Sequence, residues 1–151
     1  MNNSRRAAIK TTGAFATLVS LGIITQSQAL AAVERASFQV KTLDDALKAI
    51  GGTPAASDQV SVVAPDIAEN GAVVPVGATS NLPNTTDIYL IVEKNPTPLS
   101  CAFMIPAGTA PEVQTRLKMG QSTNVVAVVK ADGKLYSATK ETKVTLGGCG
   151  G

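Results

Sequence analysis

A chain of 151 residues with 13 basic and 11 acidic side chains has room for one domain and lacks the excess positive charge that a nucleic-acid surface requires. Two Tyr, three Phe and no Trp leave no aromatic platform for stacking bases. The absence of histidine removes Ser-His-Asp and Cys-His catalysis from within the chain and argues against a resident metal.

Residues 1–31 read as a leader. Arg5, Arg6 and Lys10 form a basic opening, an apolar stretch runs from Ala14 to Ile24, and Ala29-Leu30-Ala31 is a small-residue cleavage signal, with the cut expected before Ala32. The apolar stretch is shorter than the ~20 residues a bilayer core demands and is diluted by Thr and Ser, so no membrane anchor is expected. Ser4-Arg5-Arg6-Ala7-Ala8-Ile9-Lys10 follows the twin-arginine export pattern, with Ala8 in place of Phe and Ile9 in place of Leu. That route carries folded cargo, with a cofactor or a bound partner. An ordinary secretory signal holding two chance arginines is the alternative. Cleavage removes three basic residues and no acidic one, leaving 10 basic against 11 acidic and a net charge of −1. The exported chain therefore has no basic stripe for nucleic acid or an anionic membrane surface.

Thr42 to Gly51 is expected to be a helix. Thr42 is placed as N-cap, Asp44 and Asp45 complement the positive end of the dipole, and Gly51 ends it. Leu43, Ala46, Leu47 and Ile50 form one apolar stripe. Gly51-Gly52 stops the helix and is no phosphate loop, because no glycine-rich nucleotide pattern surrounds it.

Beyond Gly52 the pattern turns to period two and β-branched residues. Strands are expected at residues 59–65, 73–78, 88–93, 101–105, 113–119, 124–130, 134–139 and 143–146. Clusters such as Asn70-Gly71, Asn81-Leu82-Pro83-Asn84 and Asp132-Gly133 separate them. The sum is a mostly β fold, an immunoglobulin-like antiparallel β-sandwich over residues 32–146 with one N-terminal helix covering an end. Asp66 and Glu69 fall in a stretch that reads as a solvated turn, Asp66 to Gly71, and not as a catalytic carboxylate pair.

Two cysteines remain. Cys101 lies in the strand-like run Leu99 to Ile105, where a thiol acts as a small buried hydrophobe. Cys149 sits in Gly147-Gly148-Cys149-Gly150-Gly151, a C-terminal arm whose glycines give it almost no preferred shape. A bridge between Cys101 and Cys149 stays open as an alternative. Otherwise Cys149 stands roughly 10 Å clear of the sandwich on a tether of minimal width, able to enter a partner's channel. No histidine or lysine within the arm activates the thiol, so activation is expected from the enzyme that receives it. The cysteine is read as a handle and not a catalyst.

The terminal Gly147 to Gly151, the run Lys130 to Ala138, the stretch Glu69 to Val76 and the twin-arginine leader together resemble the SoxY family of sulfur carriers, over essentially the whole chain. The resemblance implies a periplasmic β-sandwich that pairs with a SoxZ-like subunit and crosses the membrane with it. It implies that Cys149 is the attachment site for thiosulfate-derived sulfur. A c-type haem enzyme (SoxAX) would load it, a manganese-dependent hydrolase (SoxB) would remove sulfate, and a molybdenum and haem enzyme (SoxCD) would oxidise the remaining sulfur. The haem, manganese and molybdenum would belong to those partners, and the carrier itself would hold no cofactor. Cys101 matches no family motif. Two other readings stand beside this one. A thiol-disulfide exchange protein would want a resolving cysteine where Leu146 stands, and a purely structural binding module would leave the terminal cysteine without a purpose.

Overall fold

The computed structural model describes residues 37–145. Its one helix among those residues, α1, spans Leu43–Ile50. Thr42 is extended (φ −126°, ψ 153°), and its Oγ1 accepts the Asp45 amide at 3.1 Å, one of the donors a helix start leaves unpaired. At the other end Gly51 takes φ 125°, which costs a glycine little. The Gly51 amide donates to the Lys48 carbonyl (3.3 Å) and the Gly52 amide to the Leu47 carbonyl (2.8 Å), the paired closure of a Schellman cap.

Nine strands follow: β1 Ala55–Ala56, β2 Val60–Val63, β3 Ile67–Ala68, β4 Val74–Ser80, β5 Thr85–Val92, β6 Leu99–Met104, β7 Glu112–Leu117, β8 Thr123–Ala131 and β9 Lys134–Val144. The larger sheet runs β1-β9-β8-β5-β6, with β3 also on β9, and the smaller runs β2-β4-β7. β2 packs over β8 and β9, and β4 over β5. The sandwich expected from the sequence is therefore present.

Its central strands are buried on both faces, and their period-two alternation shows how. Val125, Ala127 and Val129 of β8, with Ile88, Leu90 and Val92 of β5, point between the sheets toward Val60, Val74, Val76 and Ala78. Val126, Val128 and Ile91 point the opposite way, against Ala46 and Ile50 of α1. The helix thus lies on the outer face of the large sheet and does not cover an end of the sandwich as expected. The reason is in the residues: two valines on the second face of β8 need a cover, and the apolar stripe of α1 supplies one at roughly 1.5–3 kcal/mol per fully buried aliphatic side chain.

Three further expectations are corrected. The strands at 134–139 and 143–146 are one, because β8 pairs with β9 without interruption from Ala131↔Lys134 to Thr123↔Thr142. The turn at Asp66 to Gly71 holds a strand instead, since β3 adds to β9 through Ile67↔Lys143 and Ala68↔Val144. Both β3 and β1 pair parallel to β9, so the large sheet is not wholly antiparallel. The Asp132-Gly133 hairpin is as expected. Both residues take positive φ (49° and 72°), as a type I′ turn demands, and Asp132 Oδ1 accepts from Asn84 Nδ2 at 2.9 Å.

Candidate functional site

Cys149, the four arm glycines Gly147, Gly148, Gly150 and Gly151, and the leader residues Arg5 and Arg6 lie outside the described residues. What the structure places is the root from which the arm leaves, the end of β9 at Val144 and Thr145. This root is held from two sides. On one, the Lys143 amide donates to the Asp66 carbonyl (2.9 Å) and the Thr145 amide to the Ala68 carbonyl (3.1 Å). On the other, the Val144 amide donates to Ser122 Oγ at 2.9 Å.

The loops around the root are tied in turn. Asn95 Nδ2 donates to the Lys118 carbonyl (2.7 Å) and Asn124 Nδ2 to Glu93 Oε2 (2.8 Å), joining the β5–β6 loop to the strands beside it. The Lys94 amide donates to Thr123 Oγ1 at 3.1 Å. Beneath them the Met119 amide reaches the Gly71 carbonyl at 2.7 Å. A Cβ on Gly71 would collide with the Met119 carbonyl oxygen and stand 2.9 Å from Val144 Cγ1. Gly71 is therefore required by close approach of three segments. Asn70 Oδ1 closes the loop before them by accepting the Ala72 amide at 2.9 Å.

Sequence reasoning named none of Gly71, Ser122 or Asp66 as supports of the arm. Asn70-Gly71 was visible only as a turn signal, and a serine in Gly120-Gln121-Ser122 carries no mark of its partner 22 residues on. Asp66 lends its carbonyl to β9 while its carboxylate pairs with Lys140 Nζ at 3.0 Å. That side chain is 88% exposed, so the pair adds little to stability. Thr142, by contrast, is fully buried behind the root, and its Oγ1 has no hydrogen-bond partner.

Cys101 lies on β6 opposite Leu90, a free thiol half-buried against the intersheet core, and that burial raises its pKa. The register also decides the bridge left open above. Cys101 lies in one row with Leu90, Ala127 and Ala138, so it stands three strand spacings of about 4.8 Å from β9. Along β9, Ala138 is a further seven residues, about 23 Å, from Thr145. Four residues of chain from Thr145 carry the Cα of residue 149 at most about 14 Å, and a disulfide closes only about 6 Å more. The two cysteines of one chain cannot meet.

Among the described residues no group of three His, Cys, Asp or Glu stands together to hold a metal ion, and no helix is long and apolar enough to cross a membrane. The described residues define a small β-sandwich domain whose last strand is held at its end by β3 and Ser122. The chain belongs to the family of the sulfur oxidation protein SoxY, whose model matches residues 46–149. The solved structure of the sulfur carrier protein SoxY from Chlorobium limicola f thiosulfatophilum is 40% identical, with 70% of this chain and 97% of that one covered and a TM-score of 0.63. A variant of superoxide reductase (neelaredoxin) from Ignicoccus hospitalis is 22% identical over 58% of this chain and 80% of its own, with a TM-score of 0.51, and shares the fold alone. No curated protein matches.

Proposed function

We propose that this chain is the sulfur carrier of a thiosulfate-oxidising system, with Cys149 as the covalent attachment site and Gly147, Gly148, Gly150 and Gly151 as the flexible part of the arm. The observation that carries the reading is the family match, which runs up to residue 149 itself. The clamped root supports it, because a fixed pivot behind a short tether presents one sulfur to several enzymes in turn.

In the loading step the Cys149 thiol and thiosulfate would lose two electrons and one proton as the new S–S bond forms, and the haem chemistry of a SoxAX-like partner would take up the electrons one at a time. A SoxB-like hydrolase then adds water across the outer S–S bond, releasing sulfate and leaving a persulfide on Cys149. Further oxidation and a last hydrolysis, by a SoxCD-like partner and the hydrolase, regenerate the thiol. This chain's residues hold and present the cysteine, and the haem, manganese and molybdenum chemistry is supplied by the partners. Covalent attachment keeps the intermediate at high effective concentration through the sequence. Residues 1–31, with Arg5 and Arg6, act as the twin-arginine leader that takes residues 32–151 to the periplasm in the company of a SoxZ-like subunit.

Thiol-disulfide exchange finds no support: Leu146 occupies the resolving position, and Cys101 is out of reach. Intact-mass analysis of protein from cells grown on thiosulfate is expected to show sulfur adducts on Cys149. Cys149→Ser is expected to keep the fold and to stop thiosulfate-dependent electron transfer. Full turnover by the serine variant would overturn the proposal.

A further inference from the structure

The loop that leads into β4 holds the one asparagine of the sequence that is followed by glycine, Asn70-Gly71. Glycine carries no β-carbon to shield its own amide nitrogen, so in a chain free to turn that nitrogen reaches the side-chain amide carbon of the asparagine before it. The product is a five-membered imide. Asn70 is exposed, so water has access to the imide once it forms.

The fold sets hard conditions on that ring closure. The peptide between residues 70 and 71 must rotate, and contacts on each side hold it. On the asparagine side Oδ1 accepts the Ala72 amide at 2.9 Å, and the Asn70 carbonyl accepts the Val73 amide at 3.4 Å. On the glycine side the Met119 amide donates to the Gly71 carbonyl at 2.7 Å, and Gly71 is wedged against the Met119 carbonyl and Val144. Val144 is fastened in turn by Ser122, whose Oγ accepts the Val144 amide at 2.9 Å. The asparagine is therefore open to water yet closed to its own neighbour.

We infer that Asn70 is a site of irreversible self-modification, gated by the closure of the end of β9. When Gly71 leaves its seat, its nitrogen gives up a proton and bonds to Asn70 Cγ, while the C–NH2 bond breaks and ammonia departs. Water then adds across one of the two imide C–N bonds. Cleavage of the side-chain bond restores the main chain and leaves aspartate. Cleavage of the main-chain bond leaves isoaspartate, whose backbone runs through the side chain and is one carbon longer. One water is consumed and one ammonia released, with no change of oxidation state. Aspartate fits the original seat, because a carboxylate oxygen accepts the Ala72 amide as Oδ1 does. Isoaspartate does not: its added carbon displaces Gly71 against the Met119 carbonyl and Val144, where even a β-carbon collides. Once formed, it leaves the end of β9 unclosed. This inference does not rest on the carrier reading.

The test is incubation of the full chain at mildly alkaline pH, folded and in urea. Peptide mass mapping reads the replacement of NH2 by OH at residue 70, and labelling by isoaspartyl methyltransferase counts the isoaspartate. Modification in urea is expected, with a rate in the folded chain at least about tenfold lower, because the folded chain reacts only through local opening. Ser122→Ala is expected to raise the folded rate at least about threefold and to leave the rate in urea unchanged. Circular dichroism of that variant reports a retained fold. The isoaspartate form, isolated and refolded, should exchange the Thr145 amide faster than the parent, while Asn70→Asp keeps the parent's protection. An Asn70 that stays intact in urea, equal rates folded and unfolded, or Ser122→Ala modifying at the parent's rate would each overturn the inference. So would an isoaspartate form with parental protection at Thr145.

Discussion

Gly71 lies against Val144 so closely that a β-carbon on the glycine would stand 2.9 Å from Val144 Cγ1 and collide with the Met119 carbonyl oxygen. The loop ahead of β4 and the last residue of β9 are thus packed as one unit. Neither obstacle can swing aside, because Met119 is held by its own amide on the Gly71 carbonyl and Val144 is held in β9. Gly71→Ala is expected to lower stability by about 1–3 kcal/mol, the usual cost of overpacking. Thermal unfolding would measure this, and amide exchange at Thr145 should quicken more than at Val128.

Ser122→Ala removes the acceptor of the Val144 amide. A part-buried donor left unpaired costs about 1–3 kcal/mol, yet most of the effect should be local to the root. Exchange at Val144 should rise at least tenfold while α1 stays protected. Uniform protection across β9 would show that Ser122 is dispensable to the pivot.

Thr142→Val offers the opposite sign. The hydroxyl is fully buried and unpartnered, and valine keeps its shape without the desolvated oxygen. Stability should increase by about 1 kcal/mol, seen as a higher midpoint in urea with an unchanged slope.

The two thiols should separate in alkylation. In the folded protein Cys149 should react promptly and Cys101 slowly, because Cys101 is half-buried with a raised pKa. Denaturation should equalise them. The same shift has a stability sign. A thiol whose folded pKa exceeds its unfolded one contributes fully below the unfolded value, and the contribution is lost as pH rises through the folded value. Cys101→Ala should therefore flatten the alkaline side of the stability profile. Equal alkylation rates in the native state would count against this placement.

The leading elements were legible because their signals are local. Thr42, Asp44, Asp45 and Gly51 each mark the helix by their own side chain or lack of one, and Asp132-Gly133 marks its hairpin in the same way. What sequence concealed was decided across the sheet. Ile67-Ala68 is too short to show a period, and only the edge of β9 makes it a strand. Lys140 and Glu141 read as a break, but an edge-side strand tolerates charge while β8 holds its other side. The terminal glycines around Cys149 lie outside the described residues, whereas the anchoring of the end of β9 depends on Gly71 and Ser122, which are distant in sequence and ordinary in kind.

β9 is a strand of 11 residues bonded to β8 along nearly its full length, and Cys149 lies five residues beyond its end in sequence. Tension along the axis of β9 therefore loads those ladder bonds in shear, all together, where a perpendicular tug would open them one after another like a zip. Drawn along that axis, the domain follows as one body, with no single rung of the ladder bearing the load alone.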